Sequence, residues 1–383
     1  MKRRIFISAI SVLLALCFMA PAVFARDLKV VEALGEYPRP EQQTQTASVV
    51  NTISVSFLRA SDSLKKNQPV ICEVQFDNIP DGTYAILQWV QDGEPLENGY
   101  YSNFGMYNGA VLTLSTVLPH YGEPGESTML GIDINIDGVL RREVISIPYA
   151  DGTYYDERTI ELYKKVQPIT IPAKITKDTA VYSGSGLKTV TGYVSAGDSV
   201  TYYDHNEEYS AYIRLKNGNY AWAPYSAVSV GTGNYYQSGD YTTEEKEAFV
   251  NAAGFSSTTS YLIWVNTLHQ KVHIFMGQKG DWKLYKTCSC ATGANKTPTP
   301  LGIYKYCARD TAWIKPEYQV RPILYIDIGR GLAFHSRLYS PDGSVLIDGT
   351  MGRPASHGCI RMMDDDIRWM ELYMTFGTTV VVY

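Results

Sequence analysis

Residues 333–362 read "AFHSRLYSPDGSVLIDGTMGRPASHGCIRM" and bring His335, His357 and Cys359 into one short stretch. The 383-residue chain holds only six histidines and six cysteines, so this density asks for a reason. Three readings compete: a catalytic thiol with its base, a metal site, or two core histidines beside a buried sulfur. A thiol nucleophile needs a base or a positive environment, because a free Cys has a pKa of about 8.5. It also needs backbone N–H groups aimed at a developing oxyanion, with glycine allowing close approach. Gly358 stands immediately before Cys359. His357 is two residues from the thiol, so on an extended strand both would point to one face. His335 lies on a separate alternating segment, "GLAFHS", and meets the thiol from across a sheet on this reading. A zinc site finds no support, since neither a CxxC nor an HExxH pattern is present.

The surroundings read as β structure. "YLIWVNTLHQKVHIFM" (261–276) gives two alternating strands around a turn, and "TTVVVY" (378–383) gives a last strand. "DDDIRWMELYMTFG" (364–377) opens on Asp and closes on Gly, as a helix does. "YTTEEKEAFVNAAGF" (241–255) predicts a short helix, with Thr242 and Glu245 as a capping box and Gly254 as its stop.

Further upstream, "ITIPAKITKDTAVYSGSGLKTVTGYVSAGDSVTYYDHNEEYSAYIRLKNGNYAWAPYSAVSV" (169–230) predicts five short strands and a small barrel. In it Tyr220, Trp222 and Tyr225 either line a peptide groove or pack the core, and packing is the favoured role. Segments such as "VICEVQF", "YAILQWVQDG" and "MLGIDINIDG" recur from 46 to 150 with turns between them, the pattern of an antiparallel sandwich. Cys72 lies there without a second cysteine to bridge the sheets, and is read as a small buried hydrophobe. Thirty tyrosines among 383 residues add to the β bias. The expected fold class is therefore mainly β and multidomain.

The first residues, "MKRRIFISAISVLLALCFMAPAVFARD", have a basic start, an apolar run and small residues at 23–25. This is a secretory signal peptide over 1–25, followed by a polar linker over 26–45. Losing Lys2, Arg3 and Arg4 takes the formal charge from −5 to −8, which gives no electrostatic case for nucleic acid. No later stretch is apolar enough for a membrane span, so the mature chain is expected to be secreted, without a transmembrane segment. It would retain five cysteines, and an odd number leaves at least one thiol unpaired. Cys288 and Cys290 share a strand face, and a bridge from either to Cys307 on a neighbouring strand is favoured over reduced thiols.

His335-Ser336 followed by Ser356-His357-Gly358-Cys359-Ile360-Arg361 resembles the signature of the bacterial L,D-transpeptidases. The resemblance covers 259–383: the opening hairpin, the glycine turn and Thr299-Pro300-x-Gly302 of "CATGANKTPTPLGIYKY", and the terminal "FGTTVVVY" fall in the family's order. It implies a β-sandwich catalytic domain with Cys359 as nucleophile and His335 as base, oriented by main chain around Ser336. Gly358 and Cys359 N–H groups would form the oxyanion hole, with Ser356 and His357 in support. Arg361 would contact substrate, against a local salt bridge to the Asp364–Asp366 run. The twenty residues between His335 and Ser356 exceed the family's usual spacing, and the excess falls in "RLYSPDGSVLIDG". That segment is expected to form the loop over the pocket.

The other pieces carry weaker resemblances: 170–232 to a bacterial SH3-like module and 46–150 to an immunoglobulin-like domain, with 240–258 as a linker helix. The family implies a reaction on peptidoglycan stem peptides at the cell wall. Cys359 attacks the third residue's carbonyl, D-alanine leaves, and a neighbouring stem's amine resolves the thioester to a 3→3 cross-link. It also implies inhibition by carbapenems and no cofactor or metal. An L,D-carboxypeptidase, with water as acceptor, uses the same residues. A non-catalytic wall-binding protein is the alternative of another class.

Overall fold

The computed structural model describes residues 52–57, 63–77, 83–106, 110–136, 139–206 and 209–383. The signal-peptide and linker readings for 1–45 lie outside them. Among the described residues no helix is long and apolar enough to cross a membrane. The described chain is mainly β, and residues 50–383 form one compact unit.

The first region alternates as its sequence demands. In Val70–Asp77 the side chains of Val70, Cys72, Val74 and Phe76 point inward while the residues between them face out. This strand is the centre of a three-stranded sheet with Thr52–Phe57 and Ala110–Thr116. A five-stranded sheet packs on it, and Leu87, Trp89, Leu130 and Ile132 share one apolar cluster with Cys72 and Phe76. Burial pushes the Cys72 thiol far above its ordinary range, so it stays a neutral hydrophobe.

The middle region, from Ile171 to Val230, is a seven-stranded sheet where five strands were expected. The expectation missed short strands such as Val228–Val230, whose three residues are too few to show a period. Trp222 is almost fully buried, with its ring centroid 5.0 Å from that of Tyr212, and both join the apolar cluster of the last region. Trp222 therefore packs and lines no groove.

The helix Thr243–Ala252 has the capping box anticipated from its sequence: Thr242 Oγ1 accepts from Glu245 N, and the Glu245 carboxylate accepts from Thr242 N. Gly254 follows with φ +74, where a Cβ would meet Ser115 Oγ at 2.8 Å. Phe249 and Val250 pack among residues of both the first and last regions, which ties the helix into the core.

The last region is a nine-stranded sheet. Its order is Gly302–Lys305, Thr379–Val382, Tyr261–Asn266, Lys271–Gln278, Asp281–Ala291, Ile360–Met362, Leu332–His335, Ile323–Asp327 and Ala308–Asp310. Tyr261–Asn266 runs parallel to Thr379–Val382, and its near-continuous apolar sequence is buried from Leu262 to Asn266. The helix Asp364–Tyr373 covers the sheet with Ile367 and Met370, its three leading aspartates facing the positive helix end.

The expected bridge to Cys307 is absent, and all five cysteines among the described residues are free thiols. Strand order explains this. Asp281–Ala291, which carries Cys288 and Cys290, lies between Lys271–Gln278 and Ile360–Met362. Cys307 sits in the connection leading to the sheet's other edge, and its Sγ donates to the Tyr325 carbonyl at 3.4 Å.

Candidate active site

The strands Leu332–His335 and Ile360–Met362 lie side by side and parallel, with His335 in register with Arg361 and Phe334 with Ile360. This pairing carries the chain from one end of the opening sequence stretch to the other. It brings the strand that ends in His335 alongside the one that begins just after Cys359.

His335 is buried, and its Nδ1 lies 2.6 Å from the Ser336 carbonyl oxygen. A carbonyl only accepts, so Nδ1 carries the proton in the neutral ring and Nε2 keeps its lone pair. Burial lowers the imidazole pKa to about 4, with the Arg361 charge adding to the effect. Ser336 is itself fixed: its Oγ donates to the Arg337 carbonyl at 2.8 Å and accepts from Arg321 N at 2.9 Å.

Cys359 is partly exposed at the residue level, yet burial around the sulfur pushes its thiol up to about 11. Its Sγ donates to the Gly331 carbonyl at 3.3 Å. The sequence reading sought a raised thiolate fraction, and the resting site is set the other way. Burial disfavours the thiolate and the imidazolium alike, so proton transfer between them is unfavourable at rest. The resting pair is neutral.

The turn before Cys359 is held by the glycine segment. Ser356 N donates to Thr292 O at 3.0 Å, and Ser356 O accepts from Ala294 N at 2.8 Å and Thr297 Oγ1 at 3.1 Å. Thr299 Oγ1 accepts from Gly293 N at 2.9 Å and donates to Gly358 O at 2.6 Å. Gly293 tolerates nothing larger, because a Cβ there would lie 2.0 Å from Thr297 O. Gly358 takes φ +120, a conformation that favours glycine.

Four sequence expectations meet a different arrangement here. The Gly358 N–H, assigned to an oxyanion hole, donates to Ser356 Oγ at 3.1 Å, and that hydroxyl donates to Cys359 O at 2.5 Å. The chain turns at Gly358 and the strand begins only at Ile360, so His357 and Cys359 do not share an extended face. His357 is exposed, and among the described residues its side chain makes no hydrogen bond that would brace the site. Arg361 is 3% exposed and pairs with Asp348 at 2.8 Å, whereas the run Asp364–Asp366 engages others. Asp364 takes Arg337 at 2.6 Å and the Tyr339 hydroxyl, and Asp366 takes Lys286 at 2.9 Å.

The long segment after His335 is folded. Leu338–Tyr339 and Leu346–Asp348 join Trp313–Ile314 and Gln319–Val320 in a four-stranded sheet, and Gly343 turns the chain between the first two with φ +75. Tyr318, between Trp313–Ile314 and Gln319–Val320 of the same small sheet, has its phenol raised by burial and, further, by the charge a Cys359 thiolate would carry. Among the described residues no three His, Cys, Asp or Glu side chains converge as metal ligands. Gly331, Thr299 and Asp348 are the contributors that sequence reading missed. Only Thr299 had a signal, in its Thr-Pro-x-Gly segment.

Residues 260–382 match the YkuD family, the L,D-transpeptidase catalytic domain. The chain carries an L,D-transpeptidase catalytic domain in that segment. A search of curated proteins finds no match. Among solved structures, a fused Zn-dependent amidase/peptidase/peptidoglycan-binding domain-containing protein from Clostridium acetobutylicum is 29% identical over 36% of this chain and 58% of its own, with a TM-score of 0.31. An L,D-transpeptidase from Mycobacterium smegmatis is 16% identical over 48% and 82%, at 0.27. One from Mycobacterium tuberculosis is 13% identical over 70% and 96%, at 0.26. At such scores the overall likeness is weak, and the family match stands on its own.

Proposed function

We propose that the protein is an extracytoplasmic, cell-wall L,D-transpeptidase that joins peptidoglycan stem peptides through a thioester on Cys359. The observation that carries this reading is the parallel pairing, within the family's catalytic segment, of the strand that ends in His335 with the one that begins just after Cys359, with Nδ1 tied to Ser336 O.

The thiol leaves the Gly331 carbonyl and gives its proton to His335 Nε2 as sulfur attacks the carbonyl of the donor's third residue. Transfer is favourable only in the transition state, where charge moves onto the carbonyl oxygen and the imidazolium faces it. Cys359 N–H is the remaining oxyanion donor, since Gly358 N–H is bound by Ser356. The imidazolium then protonates the departing D-alanine amine. In the second half, a third-residue amine of a neighbouring stem loses its proton to His335 and attacks the thioester, giving a 3→3 cross-link and the free thiol. Arg361, held by Asp348, shapes the site from beside His335. Carbapenems would acylate the same sulfur.

Incubation with purified disaccharide-tetrapeptide muropeptides, followed by mass spectrometry, tests the reading. Cross-linked dimers support it. Shortened tripeptide stems alone make the protein an L,D-carboxypeptidase, and unchanged muropeptides leave a wall-binding protein.

A further inference from the structure

We propose that the middle sheet, Ile171–Val230, is a working part of the active site, holding in place both segments on which Cys359 rests. This goes beyond a role in attachment to the wall, and it rests on the reading of Cys359 as the nucleophile.

The first grip is an ion pair. Asp204, fully buried in the strand Ser199–Asn206, receives Arg330 through two bonds, Nη2–Oδ1 at 2.6 Å and Nη1–Oδ2 at 2.8 Å. Arg330 lies in the turn between Ile323–Asp327 and Leu332–His335, where its N–H donates to Asp327 Oδ1 and Gly331 N donates to Ile328 O. The next carbonyl, Gly331 O, is the one that holds the thiol. One buried, two-point contact thus fixes the acceptor of the resting thiol and the start of the strand that ends in His335. A planar guanidinium on a carboxylate sets orientation as well as distance.

The second grip is on the opposite support. Asn295 Nδ2 donates to Gly231 O at 3.0 Å and Gly233 O at 2.9 Å, and buried Tyr202 donates its hydroxyl proton to Lys296 O at 2.8 Å. Asn295 and Lys296 belong to the segment that cradles Ser356 and Gly358 through Ala294, Thr297 and Thr299. The middle sheet, with the glycines that directly follow its last strand, therefore reaches the supports of Cys359 from two sides, and apolar packing of Tyr212 and Trp222 against the last region keeps it there. Displacing reacting atoms by about 1 Å costs on the order of 10²-fold in rate. Loosening either grip should therefore slow acylation while leaving donor binding nearly unchanged. Asp204, Arg330, Asn295 and Tyr202 are positioning residues.

The full-length chain carrying Arg330→Gln, Asn295→Ala or, as a control, Lys216→Gln in an exposed pair with Asp198 is the material for the test. Single-turnover acylation by disaccharide-tetrapeptide is measured with the melting temperature of each sample. The expected result is a tenfold or larger fall in the acylation rate constant for both site variants, with the half-saturating donor concentration within twofold of the parent and the control unchanged. Parent-like acylation by folded Arg330→Gln and Asn295→Ala overturns the inference. If Arg330→Gln does not fold, Asn295→Ala alone decides by the same criterion. If the parent accepts no stem peptide, the activity reading fails separately. The rate of Cys359 alkylation by iodoacetamide, read by peptide mapping, then replaces acylation: a fivefold or larger change supports the positioning role, and an unchanged rate overturns it.

Discussion

Replacing His335 by Gln should flatten the acid side of the protein's stability curve. His335 is 6% exposed, and burial holds its imidazole at about 4 against 6.5 for the free ring. Between those values the unfolded chain binds a proton that the folded chain refuses. A depressed folded pKa gives stability that is fully present above pH 6.5 and is lost as pH falls toward 4. From pH 7 to pH 5 the linkage relation gives a loss of about 2 kcal/mol, and the full interval is worth about 3 kcal/mol. His335→Gln retains an N–H that can face Ser336 O and removes the titration. Urea unfolding of parent and variant at pH 7, 6 and 5 reads the difference directly. Other depressed groups, His273 and Asp240 among them, titrate in both proteins and cancel. A parent that loses no more stability than His335→Gln between pH 7 and pH 5 would refute the buried neutral imidazole.

His335→Ala should lower turnover by about 10²–10⁴-fold with donor binding nearly kept, whereas His357→Ala, at an exposed position, should cost less than tenfold; steady-state kinetics on the same muropeptide compare them. Gly293→Ala should prevent the Ser356 turn from forming, because its Cβ would lie 2.0 Å from Thr297 O; a loss of both activity and melting temperature is expected. Asp348→Ala leaves the Arg361 charge buried without its partner. Loss of such a partner costs roughly 3 kcal/mol, less where water reaches the site, while Arg361→Met removes the charge itself and should cost less. Denaturant midpoints of the two variants give the order.

Local chemistry was legible in the sequence, and long-range consequences were not. The Thr242–Glu245 capping box depends on four consecutive residues and can be read from them. Cys359 and His335 were legible because their neighbours repeat a family's pattern. The partner of Arg361 was not, since Asp348 reaches it only through the small sheet built by the segment after His335. The Gly331 carbonyl became the thiol's acceptor through a parallel pairing that no local spacing encodes. The Gly358 N–H looked available in a motif, but a hydroxyl two residues earlier takes it. The direction of the thiol's pKa followed from burial, which a motif does not report. Cys288 or Cys290 looked like a partner for Cys307 along the chain, and strand order separated them. Trp222 packs on a neighbouring region whose docking the pattern of its own strands does not contain.

The claim on which the rest depends is that Cys359 carries the acyl group. Intact-mass spectrometry after rapid mixing with disaccharide-tetrapeptide, and separately with a carbapenem, measures it, with peptide mapping to locate the adduct. The expected result is one stoichiometric adduct on the peptide containing Cys359, absent from a folded Cys359→Ala chain, which has lost no disulfide and should keep its fold. An adduct on another residue, or turnover by folded Cys359→Ala, would contradict the account.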